Sequence, residues 1–308
     1  NNGTLKVIDS GYTEHIDHTV GLSVIDNDSV KKKNFTVVID AVNGAASNAI
    51  PDLLEKMGCK VIKIHCNPNG TFPRYPEPTP DNLDELCKSV IINKADIGFA
   101  IDPDGDRLAI VDDRGKTLGE DSTLSICIDS LLYKNYPHPI ITNLSTTMAI
   151  DKIASKYNVK VKRSAVGEIN VVELMKKTNS DFGGEGNGGV ILKESHLGRD
   201  AIVATAIILS WLSKHLKPLS QLRENLPQFK MVKKKINLDG NNSRLSFDNI
   251  AEHFMDITQD TTDGLKLIWN DKWAHIRKSN TEPIIRIYAE GKTEKIATKL
   301  INTIKQLI

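Results

Sequence analysis

Along the chain, apolar residues alternate between short strand-like runs and stretches with helical spacing. Phe35–Asp40 reads as a strand, Ala46–Met57 as a helix and Lys60–His65 as a second strand, together a β-α-β unit. A loop from Asn67 to Pro80 follows and holds five of the twelve prolines. Thr79-Pro80-Asp81 is a helix start, and the spacing predicts a helix to about Asn93, then strands over Ala95–Ile101 and Leu108–Val111. The pattern then restarts with a strand at Ile140–Asn143, a helix at Thr146–Tyr157 and a strand at Val159–Arg163. At an offset of 100 residues, Ala49-Ile50 matches Ala149-Ile150, Lys56 matches Lys156 and Lys60-Val61 matches Lys160-Val161. This is either two copies of one α/β domain or chance agreement between two β-α-β units.

From Asp200 to about His215 the chain is mostly apolar, which predicts a buried helix. After Pro218 and Pro227 the pattern changes. Phe229–Leu238 reads as a strand, Phe247–Ile257 as a helix, and two strands meet at an Asn270-Asp271 turn. A strand at Ile284–Ala289 and a closing helix from Thr293 complete a small α+β domain. The expected fold class is therefore α/β: two related β-α-β, mixed-sheet domains followed by a small α+β C-terminal domain. The boundaries are expected at 34–118, 119–222 and 229–308, with residues 1–33 an unstructured polar lead-in from a missing first domain, ending in Lys31-Lys32-Lys33.

Composition narrows the class. Of 308 residues, 40% are hydrophobic and 26% charged, which is ordinary globular usage and excludes collagen-like, coiled-coil and disordered chains. The longest apolar stretch, Ala201 to Leu212, is broken by Thr205 and Ser210 and is shorter than the ~20 residues a bilayer span needs. Forty basic residues balance 39 acidic ones, so no global field draws nucleic acid or a membrane, and any anion site must be local. Cys59, Cys66, Cys87 and Cys127 form no C-x-x-C, which favours reduced thiols and a cytoplasmic location over zinc or a disulfide framework. The chain begins Asn1-Asn2-Gly3, without Met or a signal-like segment, and is read as part of a longer product.

Three loops carry the candidate chemistry. Asp102-Pro103-Asp104-Gly105-Asp106-Arg107 puts three carboxylates at i, i+2 and i+4 where Pro and Gly oppose regular structure. Anions packed this closely call for a cation, and hard oxygen donors suit Mg²⁺, Ca²⁺ or Mn²⁺. A calcium EF-hand fits badly: counted from Asp102, position 6 is Arg107 where Gly is needed, and position 12 is Asp113 where Glu is usual. Open coordination sites beside Arg107 favour Mg²⁺ with a phosphorylated ligand. Asp112-Asp113-Arg114-Gly115 is an ordinary solvated turn.

Gly183-Gly184-Glu185-Gly186-Asn187-Gly188-Gly189 lets backbone approach a ligand closely, and Glu185 and Asn187 suit vicinal sugar hydroxyls. The alternative is a flexible hairpin. His196, in the following HLGRD segment, is a candidate acid or base, with Asp200 a partner of the helix dipole. Arg277-Lys278-Ser279-Asn280-Thr281-Glu282-Pro283 offers cations, hydroxyls and an amide that suit a phosphate monoester, with Arg286 on the next strand; a polar hairpin is the alternative.

In this order and spacing, DPDGDR, GEGNGG and RKSNTEP resemble the metal, sugar and phosphate loops of the α-D-phosphohexomutase family. The wording of GEGNGGVI, HLGRD and RKSNTEPIIRIY is most similar to phosphoglucosamine-mutase-like members. The resemblance implies four domains, three related α/β domains and a small α+β one. It also implies a phosphoserine that exchanges phosphoryl with a hexose or hexosamine phosphate through a bisphosphate, moving phosphate between C6 and C1. Mg²⁺ is implied as cofactor, held by Asp102, Asp104 and Asp106, with Arg107 contacting the phosphoserine. Glu185 and Asn187 match sugar ligands, and Arg277, Ser279, Asn280 and Thr281 match the clamp on the other phosphate. Arg163, with Val166-Gly167-Glu168, resembles a further substrate loop.

Two departures stand out. Gly189 occupies a position where relatives have His, so His196 is the substitute candidate for proton shuttling. No segment resembles the family's T-[AS]-S-H-N-P serine motif; Ser145 in Asn143-Leu144-Ser145-Thr146-Thr147 is read instead as a helix N-cap. The expectation is a piece of a mutase lacking its phosphoserine domain and inactive alone, with glucosamine phosphates preferred and mannose or glucose phosphates as rivals. A non-catalytic sugar-phosphate-binding protein and a calcium-binding module are the other readings.

Overall fold

The computed structural model describes residues 3–4, 11–132, 138–237, 247–279 and 282–308. It divides into two units, Asn1–Tyr136 with Asn187–Asn225, and Pro137–Gly186 with Leu226–Ile308. Each unit is therefore discontinuous in sequence, a division no linear reading of element order predicts.

The first unit begins with helices α1 (Gly11–Val20) and α2 (Asn27–Lys33). They correct the expectation of an unstructured lead-in at residues 11–20 and 27–33. Alone, α1 is a poor helix with only Ile16 and Thr19 buried, so its order comes from packing on later helices of the unit. Asp26 caps α2 by accepting the Ser29 N–H, and Asn34 closes it at φ 50°.

The sheet of this unit has the order β2-β1-β3-β4, built from β1 (Thr36–Asp40), β2 (Lys60–Ile64), β3 (Ile97–Ile101) and β4 (Leu108–Asp112). β1 is parallel to β2 and β3, and β4 is antiparallel to β3. β3 and β4 are buried at every position, which explains why they read as continuous apolar runs rather than alternating ones. Helices α3 (Ala49–Lys56) and α4 (Asp84–Ile92) make the crossovers, and α5 (Asp121–Leu132) follows β4.

In the second unit, β5 (Ile140–Asn143), α6 (Ala149–Ser155), β6 (Val161–Ser164), α7 (Glu168–Thr178) and β7 (Phe182–Glu185) follow one another. β6 and β7 both run parallel to β5, the same strand sequence as β2-β1-β3, so the repeat seen at an offset of 100 residues has a counterpart in topology. The chain returns to the first unit with β8 (Gly189–Leu192), α8 (Ala201–Ser213) and α9 (Leu219–Leu222). α8 is the expected buried helix: 12 of its 13 residues are buried because α1, α2, α3 and α5 surround it.

The rest of the second unit comprises β9 (Lys230–Asn237), α10 (Asp248–His253), β10 (Thr258–Asp260), β11 (Leu265–Ile268), β12 (Trp273–Lys278), β13 (Ile284–Gly291) and α11 (Glu294–Lys305). The strands form an antiparallel sheet of order β10-β11-β12-β13-β9. α11 is capped by the Thr293 side chain and lays Ala297, Leu300, Ile301 and Ile304 onto this sheet. Among the described residues no helix is long and apolar enough to cross a membrane.

Candidate functional site

The acidic loop leaves the end of β3, where Asp102 is completely buried. Its Oδ1 accepts the backbone N–H groups of Asp106 and Arg107, each at 3.0 Å, and its Oδ2 accepts Arg107 Nε at 2.6 Å. Asp102 therefore shapes the loop as well as charging it, and Gly105, at φ +82°, supplies the turn. Asp104 is exposed. Donor oxygens of Asp102, Asp104 and Asp106 lie within 4.8 Å of one another. Asp106 Oδ1 is buried and accepts no hydrogen bond. A buried anionic oxygen without a donor is costly, and a hard divalent cation satisfies it, so the donor set fits Mg²⁺.

Neighbouring loops hold this arrangement. Arg74, from the proline-rich segment, donates from Nε to Asp40 at 2.8 Å, and Glu77 accepts from Arg107 at 3.3 Å. Neither was evident in the sequence, because each acts on a partner thirty or more residues away. The Gly188-Gly189 half of the glycine loop belongs to the same unit and meets the acidic loop: Leu108 N–H donates to Gly188 O at 3.2 Å, and Arg107 bridges Gly189. A Cβ at Gly189 would lie 2.2 Å from Arg199 Cδ. The bare glycine thus leaves room for the Arg199 stem, whose guanidinium ion-pairs with Asp106. Asn187 Oδ1 accepts the Gly189 N–H at 3.2 Å.

His196 does not stand alone. Its Nε2 lies 2.9 Å from Asp200 Oδ2, and His15 Nε2 on α1 lies 2.6 Å from the same oxygen. Burial pushes the Asp200 carboxyl up, but hydrogen bonds from His15 and His196 override it and hold the group well below the usual carboxylate range.

In the second unit, Glu185 is buried at the end of β7, and its Oε1 accepts from Asn143 Nδ2 at 2.7 Å and from the Gly167 N–H at 3.1 Å. Arg163 ion-pairs with Asp151 at 2.8 Å and donates to the Thr147 carbonyl at 3.2 Å, so it braces the entry to α6. Val166 N–H donates to Asp263 at 3.0 Å.

The reading of Ser145 as a helix cap is corrected. The residue preceding α6 is Met148, whereas Ser145 Oγ donates to His275 Nδ1 at 2.8 Å. His275 Nε2 in turn donates to the Asp263 carbonyl at 2.6 Å, which fixes Nδ1 as the acceptor. Beside it, Lys266 is buried, donates to the Leu144 carbonyl at 2.5 Å and lies 4.4 Å from the Trp273 ring centroid. Burial, with Arg163 adding to it, lowers the Lys266 ammonium well below its ordinary value.

His275 supplies a pH prediction. Burial pushes its imidazole down from 6.5 to about 4, and Lys266 contributes. Between those values the unfolded chain binds a proton that the folded protein refuses. Stability is therefore lost as pH falls from 6.5 toward 4, by up to about 3 kcal/mol. Denaturation of wild type and His275→Gln at pH 7 and 4.5 checks this: the variant is expected to lose less stability over that step. Equal losses refute it.

Arg277 on β12 and Arg286 on β13 are directly paired across the antiparallel ladder, and Lys235 on β9 pairs with Arg286. Both arginine Nε atoms are buried without a hydrogen-bond acceptor. Arg286 also donates to Glu282 at 2.5 Å. The Ser279 backbone N–H donates to Ile284 O at 2.9 Å. Asn280 and Thr281 lie outside the described residues. Lys235 escaped the sequence reading because only the strand register places it in this row.

Mixed sheets flanked by helices, with charged loops at strand ends, define an α/β domain protein whose chemistry sits in its loops. Comparison with known proteins makes this specific. Residues 10–115, 119–229 and 230–307 match, respectively, alpha/beta/alpha domain II, alpha/beta/alpha domain III and the C-terminal domain of phosphoglucomutase/phosphomannomutase. The chain belongs to the phosphoglucomutase/phosphomannomutase family. It is 37% identical over 280 residues to a phosphoglucomutase/phosphomannomutase of Thermococcus kodakarensis, covering 90% of this chain and 61% of the relative. It is 33% identical over 299 residues to a probable phosphoglucosamine mutase of Methanopyrus kandleri, covering 94% and 66%. The fold matches a phosphoglucomutase/phosphomannomutase family protein of Burkholderia thailandensis with TM-score 0.84 at 24% identity, covering 96% of this chain and 63% of that one. The chain thus spans under two thirds of the length of these relatives.

Proposed function

We propose that the chain supplies three domains of a Mg²⁺-dependent, cytoplasmic phosphohexomutase that moves phosphate between C6 and C1 of a hexosamine phosphate, with glucosamine 6-phosphate and glucosamine 1-phosphate as the preferred pair. The observation that carries this reading is the acidic loop, where three carboxylates converge and the buried Asp106 Oδ1 has no hydrogen-bond donor, with Arg107 Nε 3.5 Å away. Relatives named as probable phosphoglucosamine mutases support the sugar, while the name of the Thermococcus relative supports glucose or mannose phosphates as the second reading. Four free thiols accord with a reducing compartment.

In this reading Asp102, Asp104 and Asp106 hold Mg²⁺, which neutralises charge on the transferring phosphoryl group. Arg107, oriented by Asp102 and Glu77, directs its remaining N–H groups at phosphoryl oxygens. Glu185 and Asn187 select sugar hydroxyls. Arg277 and Arg286, with Ser279, Asn280 and Thr281, clamp the phosphate that is not being transferred. Arg163 is a positioning residue that acts through Asp151 and the Thr146-Thr147 carbonyls.

None of the 308 residues forms a T-[AS]-S-H-N-P segment, and in this reading the phosphoryl-carrying serine is not among them. These residues alone are expected to bind glucosamine 6-phosphate in the presence of Mg²⁺ and to show no turnover in a coupled mutase assay. Measurable turnover overturns the inactivity. Titration calorimetry giving glucosamine 6-phosphate no advantage over inorganic phosphate overturns the assignment of the substrate class.

A further inference from the structure

A second group of metal-competent side chains lies at the head of α8, outside the acidic loop. His15 comes from α1, and His196 and Asp200 from the segment entering α8. Both imidazoles turn Nε2 toward one carboxylate oxygen, Asp200 Oδ2, at 2.6 and 2.9 Å. One ligand atom from each of the three residues falls within 4.8 Å of the others. We propose that His15, His196 and Asp200 form a site for a divalent transition metal of the zinc type, which ties α1 to the head of α8.

The donor set carries the choice of ion. Two imidazole nitrogens and one carboxylate oxygen suit borderline ions such as Zn²⁺, whereas the all-oxygen loop at Asp102 suits hard ions. The carboxylate is already oriented. Its Oδ1 accepts the N–H groups of Ile202 and Val203 at 2.8 and 3.1 Å, so Oδ2 is presented as a single, fixed ligand atom. Zinc bonds of about 2.0–2.1 Å in a tetrahedron place ligand atoms about 3.3 Å apart. From 2.6 and 2.9 Å, the two N···O separations thus need to open by about 0.7 and 0.4 Å, within reach of small side-chain rotations.

Access is adequate as well. The His15 and His196 side chains are 29% and 47% exposed, which leaves room for water as the fourth ligand. Binding replaces two N–H···O bonds by two N–metal bonds. Each ring then carries its hydrogen on Nδ1, and Nε2 is free to ligate. The neighbouring Arg199 reaches Asp106, so the clamp sits one residue from a side chain that contacts the acidic loop.

The test titrates Zn²⁺ into chelator-treated protein and follows imidazole ¹⁵N resonances together with calorimetry. The His15 and His196 Nε2 signals are expected to shift together and saturate at one equivalent, and excess Mg²⁺ is expected to move neither. His15→Gln and Asp200→Asn are each expected to weaken this zinc binding by about tenfold or more. Asn still caps α8, so the second variant separates ligation from folding. Asp104→Ala is expected to leave the imidazole shifts intact, which keeps this site apart from the acidic loop. Imidazole signals unmoved by a twofold excess of zinc, or wild-type zinc affinity in Asp200→Asn, overturn the proposal.

Discussion

Asp102→Ala is expected to abolish divalent-cation binding and to destabilise the first unit by about 3–5 kcal/mol, whereas Asp104→Ala abolishes binding and leaves stability within about 0.5 kcal/mol. The contrast follows from burial. Asp102 is completely buried, and its two oxygens satisfy the backbone N–H groups of Asp106 and Arg107 and the Arg107 guanidinium. Removing it leaves a half-buried cation and two amides without their acceptor. Asp104 is exposed, so its removal takes a ligand and one unit of mutual repulsion without opening a buried network. Denaturant melts with and without Mg²⁺, paired with Mg²⁺ calorimetry, separate the two effects. Wild-type Mg²⁺ affinity in Asp104→Ala would remove the acidic loop from the cation site, and wild-type stability in Asp102→Ala would remove its structural role.

The acidic loop was legible because its information is local. Three carboxylates alternate with a proline and a glycine between apolar strands, and no distant residue is needed to see that they converge. The same holds for α8, whose apolar sequence announces a helix covered on all sides. What escaped depends on pairing across long separations. His15 meets Asp200 across 185 residues, and its helix α1 has too few buried positions to announce itself. Ser145 sits where a cap is expected, yet its hydroxyl goes to His275, 130 residues away. The strand β7 was hidden by the paired glycines Gly183 and Gly184, whose missing side chains erase the alternation that marks a strand. At Gly183 the reason is close packing, since a Cβ there would lie 2.7 Å from the Met175 sulfur and 2.9 Å from the Ile141 carbonyl.

The arginine pair gives the other large expectation, because binding and stability should move in opposite directions. Arg277 and Arg286 face each other across the β12–β13 ladder, with Lys235 next in the row, and like charges directly opposite one another destabilise a sheet. The burial of both unbonded Nε atoms adds to that cost. An anion lying against the row would supply the missing acceptors, and charge-assisted hydrogen bonds of this kind contribute about 1.5–3 kcal/mol each. Arg277→Met keeps most of the apolar stem while removing one cation. It is expected to weaken glucosamine 6-phosphate binding by about tenfold to a hundredfold while leaving thermal stability unchanged or higher by about 0.5–1 kcal/mol. Calorimetric titration and melting of the same sample read both quantities. A binding site built on this pair predicts the opposite signs. A purely structural pair predicts that Arg277→Met melts lower and binds glucosamine 6-phosphate as wild type does, and that result would remove the two arginines from the phosphate clamp.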